Sequence, residues 1–202
     1  MASKNTFSEY KVQIRPGPVG LQLNIREWSG EKQPFVLVHG LASNAQTWNG
    51  VAQHLANAGH RVVSLDQRGH GRSSKVDDGY DFETMTDDLL LLFDCLDLDS
   101  PILAGQSWGG SVVLSYGARY GSRVRGLSLV DGGFMDMKLR HTSWEGVAQH
   151  LRPPKLVGTP VGQIQERMRA FHPDWTDAGI SWALANFEVM DDGTVRPWLT
   201  LE

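Results

Sequence analysis

The stretch AGQSWGGS (104–111) places Ser107 midway between Gly105 and Gly109. It follows the apolar run PILAGQ (101–106) and opens SWGGSVVLSYGARYG (107–121), whose spacing predicts a helix. A serine caught between a buried strand and a helix start sits on a tight turn, the context that gives G-x-S-x-G its meaning. Side chains at Gly105 and Gly109 would collide with neighbouring backbone, so the turn needs glycine at both and is expected to strain the serine. The Trp108 N–H, at the positive end of the helix, is expected to face a developing negative charge. Ser107 is therefore the candidate nucleophile, and the question becomes which group takes its proton.

Further strands and helices extend outward from this turn. FVLVHG (35–40), RVVSLD (61–66) and VRGLSLVD (124–131) are continuous apolar runs of the kind a sheet covers on both faces. Between them, Trp48, Val51, Ala52 and Leu55 recur at helical spacing, with Gly59 as the stop. A second stripe runs through Phe82, Met85, Leu89, Leu92, Phe93 and Leu96, with Asp81 as its N-cap. YKVQIR (10–15) and LQLNIREW (21–28) alternate around PGPVG and predict a hairpin with one solvated face. The alternation of strand and helix from 35 to 131 predicts an α/β fold, a mostly parallel doubly wound sheet with helices on both faces.

After Asp131 the texture changes. Residues 132–190 read as broken helices, with Thr142 and Glu145 fitting a capping box and Thr159–Pro160 a helix start. FEVMDDGTVRPW (187–198) predicts a hairpin, with Asp191 and Asp192 as turn residues. Trp144, Trp175, Trp182 and Trp198 all fall here. The expected organisation is a core over 1–131, a helical lid over 132–190 and a return segment over 191–202.

Composition removes several function classes. Of 202 residues, 41% are hydrophobic and 21% charged, and the formal net charge is -4, which opposes a nucleic-acid partner. The run LLLLF (89–93) is far too short to span a bilayer, so no membrane partner is expected. The start MASKNTFSEYK lacks the apolar segment of a secretory signal, and Cys95 is the single cysteine. Both fit a cytoplasmic protein. Nothing has metal-ligand spacing and no glycine-rich phosphate loop occurs, so no metal or cofactor is expected.

Two loops belong with the serine. In VHGLASNAQTW (38–48), His39-Gly40 lets the Leu41 N–H point at the same spot as that of Trp108, and two such donors make an oxyanion hole. The His39 side chain reads as structural, bonded to its own loop. In DQRGHGRSS (66–74), Asp66 and Arg68 are expected to pair or to bond backbone, and His70 reads as a loop histidine rather than a base.

The order FVLVHG…W, LDQRGHGRS, AGQSWGG, LSLVD, followed by a helical insert, resembles the α/β-hydrolase superfamily over roughly residues 20 to 202. More closely it resembles the cap-bearing esterase, C–C hydrolase and cofactor-free haloperoxidase branch. The resemblance implies Ser107 as nucleophile, Leu41 and Trp108 as oxyanion hole, and the helical insert as a lid shaping the pocket of a small apolar acyl substrate. Haloalkane dehalogenases and epoxide hydrolases carry an aspartate where this chain has Ser107. Proline iminopeptidases carry Gly-Gly-Pro-Gly where it has His39-Gly40-Leu41-Ala42. The expected activity is hydrolysis of an ester or related acyl compound through an acyl-serine. The alternatives are a cofactor-free perhydrolase or haloperoxidase, and a non-catalytic protein that binds a small ligand.

In this fold the triad runs Ser, then acid, then His. The chain ends at RPWLTLE, where the lid should hand back to the sheet, so the fold is expected to be C-terminally incomplete by about 60 residues, two strand–helix units. A missing C-terminal segment or a second polypeptide is expected to bring the base, and the sheet is expected to end in an open apolar edge. Of the seven histidines, His54 and His60 read as solvated, and His141, His150 and His172 lie in the lid stretch. Asp131 reads two ways, as triad acid at the end of the strand after Ser107 or as cap of the Gly-Gly turn that follows it.

Overall fold

The computed structural model describes residues 7–17, 20–134, 139 and 143–199. His141 and the expected Thr142 cap lie outside these residues, as do Pro18 and Val19 of the first turn and both ends of the chain.

Six strands form the main sheet in the order β1-β2-β4-β3-β5-β6. They are β1 (Phe7–Arg15), β2 (Leu21–Trp28), β3 (Lys32–Val38), β4 (His60–Leu65), β5 (Ile102–Gln106) and β6 (Gly126–Val130). β1, β2 and β4 pair antiparallel, and β4, β3, β5 and β6 run parallel. The helices are α1 (Asn49–Asn57), α2 (Phe82–Cys95) and α3 (Trp108–Tyr120).

Strand alternation sorts the core into two layers. Val36, Val38, Val63, Leu65 and Leu103 pack with Met85, Leu89, Phe93, Val112 and Tyr116 from α2 and α3. Leu37, Val62 and Ala104 point the other way and pack with Trp48, Ala52 and Ala56 around α1. Helices therefore cover both faces, as the apolar runs of β3, β4 and β5 require. The caps follow the sequence too. The Asp81 side chain accepts from the Thr84 N–H, and Gly59 ends α1 at φ +94°.

The structure departs from the sequence reading in several places. β2 has no solvated face: Leu23 and Ile25 are buried on one side, and Asn24, Arg26 and Trp28 on the other. Asn24 and Arg26 go under because Asp66 and Glu9 satisfy them. Phe82 is exposed, since it begins α2 before the helix meets the core. β6, read from its apolar run as a buried strand, is the last in the described sheet with Leu127, Leu129 and Val130 exposed, which is the open apolar edge expected where the sequence stops. His60 is half-buried rather than solvated, its Nδ1 against the Gln33 carbonyl and its ring edge-on to Phe35.

Beyond residue 143 the chain forms α4 (Trp144–Leu151), α5 (Val161–Phe171) and α6 (Asp177–Leu184). The α4 cap is Ser143, which accepts from the Gly146 N–H. A second, three-stranded sheet joins β7 (Thr159–Pro160), β9 (Thr194–Pro197) and β8 (Phe187–Val189). The expected 187–198 hairpin is β8–β9, turning through Gly193 at φ +78° with Asp192 accepting from Thr194. Thr159–Pro160 adds a strand to it before α5 starts, which the sequence reading took only as a helix start. This segment is seated on the core through α6: Asn44 Nδ2 donates to the Trp182 carbonyl at 3.3 Å, and the Trp182 ring lies over Gly50.

Candidate active site

β3 and β5 are neighbours, but α1 after β3 and α3 after β5 lie on opposite faces of the sheet. The strand order reverses between them, and sites in open α/β sheets form beyond the C-terminal strand ends at such a point. Ser107 sits there, at the end of β5.

Its backbone has φ 52° and ψ -120°, a conformation that costs a non-glycine residue about 1–3 kcal/mol. Its neighbours hold it in place. The Ser107 N–H donates to the Val130 carbonyl at 2.9 Å, and the Gly110 N–H donates to the Ser107 carbonyl at 2.9 Å. Close glycines leave it no room to relax. A Cβ on Gly105 would lie 2.2 Å from the Gly109 carbonyl oxygen, and one on Gly109 would lie 2.4 Å from that of His39. A Cβ on Gly132 would lie 2.1 Å from the Ser107 carbonyl oxygen. Ser107 itself is half-buried.

The loop after β3 runs against the serine. A Cβ on Gly40 would meet Gln106 Oε1 at 2.6 Å and Ser107 Cβ at 3.2 Å. Gly40 to Ser43 form a turn closed by the Ser43 N–H on the Gly40 carbonyl at 3.3 Å, with Ala42 at φ 55°. A turn uses the N–H of its fourth residue and leaves that of its second, here Leu41, unbonded. The Trp108 N–H, in the first turn of α3, is unbonded for the corresponding helical reason. Among the described residues neither amide has a protein acceptor, and both belong to backbone that touches Ser107.

His39 and His70 form the floor of these loops. His39 is fully buried; its Nδ1–H donates to the Gly40 carbonyl at 2.7 Å and its Nε2 accepts from the Gln67 N–H at 3.1 Å. His70 is bonded the same way, Nδ1 to the Arg68 carbonyl at 2.9 Å and Nε2 from the Ala42 N–H at 3.3 Å. Burial pushes His39 down to about 4. Burial, and then the nearby His39, push His70 down to about 3. Both rings are neutral with both nitrogens engaged, so neither is free to take the Ser107 proton. His70 also stacks on the Trp108 indole at 5.7 Å, tying the two loops together.

The other described histidines have other partners. His54 is bonded to the Gly50 carbonyl, and His60 lies at the opposite end of the sheet, where β4 begins. His172 is stacked on Trp175 at 3.9 Å, and His150 is exposed on α4 and also engaged.

Asp131 lies between Val130 and Gly132, both of which touch the Ser107 backbone. It is exposed, at φ 50°, and among the described residues its carboxylate makes no hydrogen bond or ion pair. Among the described residues it accepts no bond from the Gly132-Gly133 turn.

Asp66 and Arg68 do not pair with each other. Asp66 accepts from the N–H groups of Ala45 and Arg72, holding two loops. Arg68 forks onto Asp88 of α2 at 2.6 and 2.7 Å. The sequence reading missed Gly132 and Gln67. The Gly132-Gly133 pair was legible as a turn, but its approach to Ser107 crosses from β6 to β5. Gln67 holds His39 through both its N–H and its Nε2, and nothing local marks it.

The family model for the alpha/beta hydrolase fold matches residues 33–178. A non-heme chloroperoxidase of Kitasatospora aureofaciens is 38% identical over 112 residues, 55% of this chain and 40% of that protein. A bifunctional esterase/perhydrolase of Acinetobacter calcoaceticus is 32% identical over 102 residues, 50% of this chain and 37% of that protein. The crystal structure of E-2-(acetamidomethylene)succinate hydrolase superposes with a TM-score of 0.79 at 23% identity, covering 96% of this chain and 69% of that one. This last likeness is one of fold. The chain spans less than half the length of these curated relatives.

Proposed function

The chain belongs to the α/β hydrolase fold family, and on that premise we propose that it is a serine hydrolase acting on an ester or related acyl compound. Ser107 Oγ attacks the carbonyl carbon as its proton passes to a base. The Leu41 and Trp108 N–H groups hold the oxyanion of the tetrahedral intermediate. The alcohol leaves with a proton, and water then hydrolyses the acyl-serine. The base is a group outside the described residues, because the described histidines near the site are neutral and fully engaged. Asp131, at the same sheet edge, is the acid proposed to orient it. Residues 132–190 are the proposed lid shaping an acyl pocket, and its Trp182 is seated on Asn44 and Gly50.

The observation that carries this reading is the Ser107 backbone. A conformation costing about 1–3 kcal/mol, held by two backbone bonds and four close glycines, is a poor investment for an ordinary turn serine. A second reading is favoured by the relatives, a chloroperoxidase and an esterase/perhydrolase. In it hydrogen peroxide replaces water on the acyl-serine and leaves as a peracid.

The test is the intact mass of the chain, taken under denaturing conditions after treatment with a fluorophosphonate. An adduct on the 22.4 kDa chain that is absent in Ser107→Ala is the expected result. An adduct that persists in Ser107→Ala would overturn Ser107 as the nucleophile, and an unmodified wild-type chain with native circular dichroism would mean that these 202 residues by themselves carry no working base. Where the adduct forms, peracid production from hydrogen peroxide and a short carboxylic acid separates the perhydrolase from the hydrolase.

A further inference from the structure

The loop after β4 does more than carry His70. Together with Arg15, at the end of β1, and Thr84, in the first turn of α2, it lines an open cavity of about 570 Å³, within the size range of small-ligand sites. β1 is the edge of the main sheet opposite β6. Three cations line this cavity: Arg15 from the strand, and Arg68 and Lys75 from the loop.

One carboxylate answers them. Asp88 lies one turn beyond Thr84 on α2, and both guanidiniums meet at its Oδ1. Arg68 Nη2 donates to that oxygen at 2.7 Å, and Arg15 Nη2 lies 3.3 Å from it. Arg68 uses its remaining reach on Asp88 Oδ2 at 2.6 Å and on the Asp78 carbonyl at 3.2 Å. Two positive charges on one negative charge leave one uncompensated. Arg15 also keeps a buried Nε–H that no described residue accepts, and a buried donor left unmade is costly.

Lys75 adds a further positive charge. Its Nζ donates to the Gly71 carbonyl at 2.6 Å, and among the described residues it has no ion pair. Burial pushes its amine down to about 8 against the pull of Asp66, and Lys11 pushes the same way as burial. That is the direction expected of a cation with no bound counter-ion. Asp77 and Asp78 also line the cavity, but both are exposed and enter no ion pair among the described residues. Water and salt screen them more than they screen the buried pair of Arg68 and Asp88.

We propose that this cavity is an anion site, which takes the carboxylate or phosphate group of a small molecule. The anion accepts from the Arg15 Nε–H and from the Lys75 ammonium, and it supplies the negative charge that Asp88 alone does not. A planar guanidinium suits such oxygens, and an ammonium adds a movable point charge beside it. The site adjoins the serine turn through Arg68, whose carbonyl holds the ring of His70 that stacks on Trp108. It does not depend on Ser107 being a nucleophile, so its test needs no turnover.

That test is isothermal titration of the full chain with sodium acetate and, separately, with sodium phosphate, chloride keeping the ionic strength fixed. Nitrogen–proton correlation spectra follow the arginine Nε–H groups in the same titrations. The expected result is saturable binding of at least one anion in the millimolar range, with the Arg15 Nε–H signal moving as the site fills. Acetate alone assigns the site to carboxylates, and phosphate alone to phosphates. Arg15→Gln and Lys75→Gln are each expected to weaken binding about tenfold with native circular dichroism. Arg123→Gln removes the same charge beside Asp94, at the other end of α2, and is expected to leave binding unchanged. Should Arg15→Gln fail to fold, Lys75→Gln carries the comparison, since that side chain is exposed. The proposal is overturned if neither anion saturates, if the Arg15 signal stays still, or if binding withstands the Arg15 and Lys75 changes. An equal loss in Arg123→Gln also overturns it, because general charge attraction would then account for the binding.

Discussion

Gly132 illustrates how a residue with no chemistry of its own can decide the site. Its absent side chain lets the turn after β6 press against the Ser107 carbonyl, where a Cβ would sit 2.1 Å from oxygen. The atoms it would meet are all Ser107 backbone, which cannot yield cheaply. Gly132→Ala is expected to destabilise the fold by about 2–4 kcal/mol, read as a lower denaturant midpoint, and to weaken fluorophosphonate labelling of the molecules that still fold. His39 and His70 act through protonation. Their folded values, about 4 and about 3, lie below the ordinary 6.5. Between those limits the unfolded chain binds more protons than the folded one, so stability is full above pH 6.5 and falls as pH drops towards 4. Each ring contributes up to about 1.4 kcal/mol per pH unit in that window. Denaturant unfolding at pH 7 and pH 5 should show the loss, and His70→Gln should reduce it by about half.

At the scale of elements, polar side chains anchor the loops that the strands leave behind. Arg68, from the loop after β4, forks onto Asp88 of α2, with both side chains about 95% buried, and Arg15 at the end of β1 reaches the same carboxylate at 3.3 Å. Three elements thus meet at one charge. Asp88→Asn leaves the Arg68 guanidinium buried without a counter-ion and is expected to cost about 3–5 kcal/mol in chemical denaturation. Asp66 does the same between the 45 and 72 backbone, and Asn24 reaches it from β2. These long-range partners explain why β2 has two buried faces although its sequence alternates. Alternation reports side-chain polarity, and burial of Asn24 and Arg26 depends on partners far away in sequence.

Over the whole molecule, two features of the sheet matter. The first is the reversal of strand order between β3 and β5, which brings the loop after β3 against the Ser107 turn after β5. The second is the asymmetry of its edges. β1 carries Glu9, Lys11 and Arg15, whereas the five residues of β6 carry no charge. The apolar run of β6 predicted burial because such runs usually lie inside parallel sheets. Among the described residues nothing pairs with its outer edge, and that depends on other parts of the chain rather than on the strand itself.

What the sequence by itself determined is local. The strained serine turn with its glycines, the Asp81 cap, the Gly59 stop, the strands and helices from 35 to 131 and the hairpin over 187–198 all follow from residue periods and backbone freedoms acting within a few positions. The structural role of the His39 side chain was legible in the same way. What only the tertiary structure decided is relational. Gly132 is needed because β6 ends beside β5, Arg68 chose Asp88 over Asp66, and β7 joined β9 across the length of α5 and α6. The neutral state of His39 and His70 comes from low dielectric and from donors on other loops. Side-chain pattern sets what an element is, whereas pairing, burial and protonation depend on which elements the fold brings against it.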